Sequence, residues 1–132
     1  MYVKLGEPTR KNKAETIRID PWDTWSMDDT LARIILPMLE QMKESKQGYP
    51  ISMGYENHSQ LSFEGIIDKD AEEVYCKEKW DQELDKMIEA FKLILNKWED
   101  DEYMSFSSNT ERNKRVLRGL TSFARNFESL WE

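Results

Sequence analysis

The chain has 132 residues, 26 acidic and 19 basic, for a net charge of −7 near neutral pH. That length suits one compact domain, and 39% hydrophobic residues, including five Trp, five Tyr, five Phe and seven Met, supply a core and exclude wholesale disorder. The acidic balance predicts poor binding of bulk nucleic acid, no apolar run approaches a membrane span, the polar stretch Met1 to Lys13 predicts no signal peptide, and the single cysteine, Cys76, excludes an internal disulfide and suits a reducing compartment.

Residues 1–16 are polar, with Gly6, Pro8 and four basic residues, and are expected to form a loose, flexible arm ahead of a single helical domain over 17–132. Thr16-Ile17-Arg18-Ile19-Asp20 alternates apolar and polar, as one short strand or an extended lead-in would. Asp20-Pro21 then forces an extended or turn conformation, with Trp22 and Trp25 inside the turn-like segment. The first helix is predicted over 27–47. Ser26 suits its N-cap, and Asp28 and Asp29 complement the dipole in its first turn. Leu31, Ile34, Ile35, Met38, Leu39 and Met42 follow at spacings of three and four. Gly48 and Pro50 end it. Pro37 lies inside this pattern, on the polar side, and is expected to kink the helix without breaking its apolar stripe.

Residues 48–67 lack helical periodicity and read as one long loop, either working or inserted. Trp80, Leu84, Met87, Ile88, Phe91, Ile94, Leu95 and Trp98 share one face of a second helix over 79–98. Val74 and Tyr75 are out of phase with that stripe, so residues 69–79 read as a short separate helix meeting the second near Lys77. The acids Glu99 to Glu102 oppose a helix C-terminal dipole and belong beyond its end. The last helix is predicted over 110–131, with Val116, Leu117, Leu120, Phe123, Ala124, Phe127, Leu130 and Trp131 as its apolar face and Lys114, Arg118 and Arg125 opposite. The expected fold class is all-α: a small bundle of three main amphipathic helices plus a short fourth, with an extended N-terminal arm and one long loop.

No catalytic, metal or cofactor residue is assigned. His58 is the only histidine and Cys76 the only thiol, so zinc and haem spacings are absent. No nucleophile elbow, dinucleotide fingerprint or phosphate loop occurs. Glu40 with Glu44, and Asp81 with Asp85, share helix faces, but the Glu-x-x-Glu pairs of helical pyrophosphatases do not fall on those faces, and a solvated acidic surface is the simpler account. The nine acids between Asp68 and Glu89 suggest a DNA-phosphate mimic. The interspersed lysines fit a plain solvated helix better.

The more suggestive residues are aromatic and basic. Indole faces stack on bases, and guanidinium forks bind phosphate. Trp22 and Trp25 in the turn, Lys43, Lys46 and Tyr49 at the end of the first helix, and Arg118 on the last form the expected ligand site for a compact anion. The competing account puts the tryptophans in the core and pairs the cations with the many acids.

Three blocks carry a family resemblance: Ile19-Asp20-Pro21-Trp22-Asp23-Thr24-Trp25-Ser26-Met27-Asp28 with the helix to Pro37 and Lys43 to Pro50; Lys79-Trp80 with Leu84 to Phe91; and Arg118-Gly119-Leu120 with Phe123-Ala124 and Leu130-Trp131. Together they resemble a family of small conserved hypothetical proteins encoded by tailed bacteriophages. The resemblance implies a phage origin and expression in the host bacterial cytoplasm, and carries over no activity. Small phage proteins without catalytic motifs are commonly binders. The expected function is therefore non-enzymatic binding that counters host defence by sequestering a nucleotide-like immune signal. The expected partner is a small phosphate-bearing nucleotide or a host defence protein, with no bulk nucleic acid and no membrane, and a homo-oligomer left open. The alternative is a structural or host-protein-interaction protein, including an acidic DNA-mimic inhibitor.

Overall fold

The structure is a computed structural model of the chain and describes residues 1–8, 13–45, 48–50, 53, 69–103 and 110–131. Strands β1 (Tyr2–Pro8) and β2 (Lys13–Arg18) form a hairpin, followed by helices α1 (Met27–Ser45), α2 (Lys69–Leu95) and α3 (Glu111–Arg125). Single 3₁₀ turns lie at Pro21–Thr24, Lys97–Glu99 and Phe127–Ser129. Helix dominates, and the fold is all-α apart from the hairpin. Most of the long-loop segment 48–67, including His58, lies outside the described residues.

In place of the expected loose arm, the described residues Tyr2–Pro8 and Lys13–Arg18 are paired strands. β1 and β2 pair antiparallel, Tyr2 with Arg18 and Val3 with Ile17, and the register shifts between Leu5 and Pro8. The alternation predicted for residues 16–20 has a counterpart in Tyr2 to Leu5, so two half-apolar strands zip together. Pro8, which cannot donate to a ladder, sits at the strand's end beyond the irregularity.

α1 spans the predicted segment, with Pro37 exposed inside it. Its first backbone bond runs from the Thr30 N–H to the Ser26 carbonyl at 3.0 Å, which places Ser26 at the cap. Its buried side is rotated from the predicted one: Ala32 and Leu39 are buried and Ile35, Leu36 and Met42 pack against them, while Leu31 and Met38 are exposed. Ala32 and Leu39 mark the face of α1 that enters the core.

α2 is one helix of 27 residues with no break near Lys77. Val74 and Tyr75 are simply exposed, and a second row, Glu72, Cys76, Trp80 and Leu84, carries burial down the helix at four-residue spacing. Trp80, Leu84, Met87, Ile88 and Phe91 are buried as predicted. Trp98 is not: α2 stops at Leu95, and the 3₁₀ turn after it points Trp98 outward at 69% exposure. The acids Glu99 to Glu102 do fall beyond the helix end. α2 packs against both α1 and α3. The core is Ala32, Leu39, Met53, Cys76, Trp80, Leu84, Met87, Ile88 and Phe91.

The start of α1 is tied to the end of α2 by a buried ammonium. Lys97, 6% exposed, donates to the Asp28 carboxylate at 2.6 Å and lies 5.3 Å from the Trp98 ring and 5.9 Å from Tyr103. The bond holds the Asp28 carboxyl below its ordinary range and the Lys97 ammonium above its own. The pair's stabilisation is full above the ordinary carboxylate pKa and is lost as pH falls through the depressed value of Asp28. It is also full below the ordinary lysine pKa and is lost as pH rises through the raised value of Lys97. Its contribution is therefore flat between about pH 4 and 10. The two partners are not equivalent. Asp28→Asn strands a buried ammonium and is expected to cost about 2 kcal/mol, whereas Lys97→Met leaves only a half-exposed carboxylate and costs less. Urea denaturation of both variants at pH 7 checks the order, and equal losses would contradict it.

Candidate anion-binding groove

The site begins with how α3 seats on α2. Thr110 caps α3, its side-chain oxygen accepting the Asn113 N–H at 3.2 Å. The face turned to α2 is Arg112, Gly119, Ser122 and Asn126, all buried. It is not the predicted stripe: Leu117, Leu120, Phe127 and Trp131 are 67%, 37%, 61% and 75% exposed, while Phe123 and Leu130 do pack against the core. Gly119 explains the rotation. A Cβ there would lie 2.2 Å from the Lys86 carbonyl oxygen and 2.3 Å from the Ala90 Cβ, so the helices meet at backbone distance. The approach is fastened by polar bonds. The Ser122 hydroxyl donates to the Glu83 carboxylate at 2.5 Å, and an Arg112 guanidinium N–H donates to the Leu93 carbonyl at 3.4 Å. Arg112 also stacks on Tyr103 at 4.8 Å.

This seating opens a groove of roughly 390 Å³ along the α2–α3 seam, lined by Glu83, Lys86, Lys114, Leu117, Arg118, Thr121, Ser122 and Arg125. Four of these eight are cations and one is an acid, in a chain of net charge −7. Lys114, Arg118, Thr121 and Arg125 recur at i, i+4, i+7 and i+11, which is one row on a helix. Lys86 donates to Glu83 at 2.9 Å, and Arg118 reaches Glu89 at 3.5 Å. Lys114 and Arg125 have no acid within 4.0 Å among the described residues. Burial works to raise the Glu83 carboxyl, but hydrogen bonds from Lys86 and Ser122 outweigh it, and Glu83 stays charged at neutral pH. Along the groove, Glu83 sits level with Ser122, between the turns of Arg118 and Arg125.

Among the described residues, the predicted ligand site does not come together in one place. Trp22 and Trp25 are exposed, 67% and 78%, and stack edge to face at 4.8 Å, in a turn that the Asp20 N–H braces by donating to Asp23 at 2.8 Å. They precede α1, while Lys43 lies near its other end, about 24 Å away at about 1.5 Å per residue. Lys43 is bonded to Asp85 of α2. Tyr49 packs against the core, where burial raises its phenol above the ordinary value. Lys46 lies outside the described residues. Arg118 ends on Glu89, one turn of α2 beyond Asp85, so Lys43 and Arg118 reach the same side of α2, each onto its own acid. Of the five predicted residues that the structure describes, Arg118 alone lines the groove. The i, i+4, i+11 spacing of Lys114, Arg118 and Arg125 was the available signal for the rest of the row. Lys86 had none, because only the close approach at Gly119 brings it there.

A second, larger hollow of roughly 680 Å³ gathers Glu99, Asp100, Asp101, Glu102 and Glu111 around Arg112 and Arg115. Arg112 donates its backbone N–H to Glu102 at 2.6 Å, and Arg115 lies 3.4 Å from Glu111 and 3.5 Å from Glu89, so these acids serve as its counter-charges. Among the described residues no cluster of three His, Cys, Asp or Glu is placed to hold a metal ion, and no helix is long and apolar enough to cross a membrane. Comparison with protein-family models, with curated proteins and with solved structures finds no match to this chain.

Proposed function

We propose that this is a non-enzymatic binding protein that holds a compact, phosphate-bearing ligand of the nucleotide class in the α2–α3 groove. The observation that carries the reading is the convergence of Lys86, Lys114, Arg118 and Arg125 on one groove of an otherwise acidic molecule. Lys114 and Arg125, which have no acid within 4.0 Å among the described residues, are donors available to phosphate oxygens, while Lys86 and Arg118 already hold Glu83 and Glu89. Leu117, exposed in the same groove, offers an apolar surface to a base. The acids elsewhere repel extended polyanions and leave small ones a local site. In the phage setting that the family resemblance implies, such a protein would act in the host cytoplasm by sequestering a nucleotide signal of host defence.

Calorimetric titration with ATP and with a cyclic 3′,5′-dinucleotide tests this. Wild type is expected to bind at least one of them. Arg125→Ala is expected to weaken that binding about tenfold or more, as loss of one charge-assisted contact does. Trp25→Ala, outside the groove, is expected to leave it unchanged. Binding of neither nucleotide, or binding that Arg125→Ala leaves intact, overturns the reading. First place then passes to contact with a host protein, for which the exposed Trp22, Trp25, Trp98 and Trp131 are the available surface.

A further inference from the structure

The apolar side of α3 is turned to solvent. The helix seats on α2 through small and polar residues, Gly119, Ser122 and Asn126. Its outer side carries Leu117, Leu120, Ala124, Phe127 and Trp131, all exposed. Their spacing of three, four, three and four is the repeat by which one helix meets another along a seam. The last two follow the helix proper, with Phe127 in the closing 3₁₀ turn. Phe127 is held there by stacking edge to face on Phe123 at 5.4 Å, which stacks in turn on the buried Phe91 at 5.2 Å. The stripe is thus anchored to the core, and a partner that covers it need not order it first.

We propose that this stripe is the interface of a homodimer in which two copies of α3 lie antiparallel. Area and charge both select a second copy. Leu117, Leu120, Phe127 and Trp131 expose on the order of 500 Å² together, the size of the largest apolar patch on a typical monomer. Laid on its own copy, the stripe removes about 1,000 Å² from water, which reaches the threshold of a specific interface. The stripe also complements itself. A two-fold axis halfway between Leu120 and Ala124 sets Leu117 against the partner's Phe127, and Leu120 against the small Ala124 of the partner. The same axis brings Lys114 to the partner's Glu128, since the two stand seven residues to either side of Thr121 along one edge of the stripe. Neither has an oppositely charged partner among the described residues of its own chain. A parallel pair would set Lys114 against Lys114 and Glu128 against Glu128, so the charges choose the antiparallel order. Arg118 and Arg125 lie on the other flank of α3. The groove therefore stays open in the dimer, with Lys114 and Leu117 on the edge the two share.

Sedimentation equilibrium of the full chain, without nucleotide and at micromolar to submillimolar concentration, tests this. Wild type is expected to approach twice the 15.8 kDa of one chain as concentration rises. Leu117 is 67% exposed, so Leu117→Glu is expected to give the mass of one chain with an unchanged circular dichroism spectrum. Lys114→Glu and Glu128→Lys each set like charges together at two places across the axis, and each is expected to weaken dimerisation about tenfold or more. Mixed in equal amounts, these two variants restore opposite charges at both places and are expected to recover the dimer. A wild type that stays a single chain throughout, or a folded Leu117→Glu that remains dimeric, overturns the interface. A mixture that recovers nothing overturns the antiparallel order, and this readout holds even if Leu117→Glu fails to fold.

Discussion

Leu84→Ala is expected to destabilise the fold by about 3–5 kcal/mol, at the upper end for a buried leucine. Leu84 is fully buried at the middle of α2, in the row with Trp80 and Met87, where the core contributed by α1 meets that under α3. Truncation removes the transfer free energy of three carbons and leaves a void. Trp80 and Phe91 on the same helix cannot collapse into it without leaving their own rotamers. The loss is a large share of the 5–15 kcal/mol that holds a domain of this size. Urea denaturation followed by circular dichroism should show the midpoint fall with the slope unchanged. A loss below about 1 kcal/mol would mean that the α2 face named here is not the core.

Gly119→Ala is the second large effect, and its sign is a contest between two terms. In an exposed helix interior, glycine to alanine gains about 1 kcal/mol of helix propensity. Here the new methyl would stand 2.2 Å from the Lys86 carbonyl oxygen and 2.3 Å from the Ala90 Cβ. One of these is backbone and the other a side chain with no rotamer to turn, so neither moves without moving a helix. Overpacking costs about 1–3 kcal/mol where side chains can adjust, and more where the backbone must shift. The clash therefore wins, with a net destabilisation of about 3 kcal/mol and a fall in Tm of roughly 10 °C. The displacement of α3 also separates Lys86 from Arg118 and Arg125. Nucleotide affinity should thus drop even at temperatures where Gly119→Ala remains folded. A variant as stable as wild type would refute the seating of α3 on its glycine face.

Local interactions made much of this protein readable from the chain alone. The three helices, the Ser26 start of α1 and the inward row from Trp80 to Phe91 follow from spacing of three and four, capping chemistry and dipole sign, whereas α2 begins at Lys69, ahead of the predicted 79, because the row through Cys76 and Trp80 continues the helix. All of these act within a few residues. The hairpin was half legible: alternation marked β2, but the matching alternation of Tyr2 to Leu5 was hidden among polar residues. The tertiary structure decided which faces of α1 and α3 turn inward, and it overrode hydrophobicity in doing so. A helix packs where its axis comes closest: on α3 Gly119 permits that approach, and on α1 the buried Ala32 and Leu39 mark the inward face. The bulkier stripe of Leu117, Leu120 and Phe127 was left outside as a consequence. The same rule located the groove. Lys114, Arg118 and Arg125 share a row by sequence, but their neighbours Lys86 and Glu83 belong to another helix, and only the depth of contact at Gly119 sets them side by side. The predicted union of Trp22, Trp25, Lys43 and Arg118 failed for the converse reason: a continuous helix of 19 residues holds its two ends apart, and no spacing in the chain can bring together what helical backbone separates.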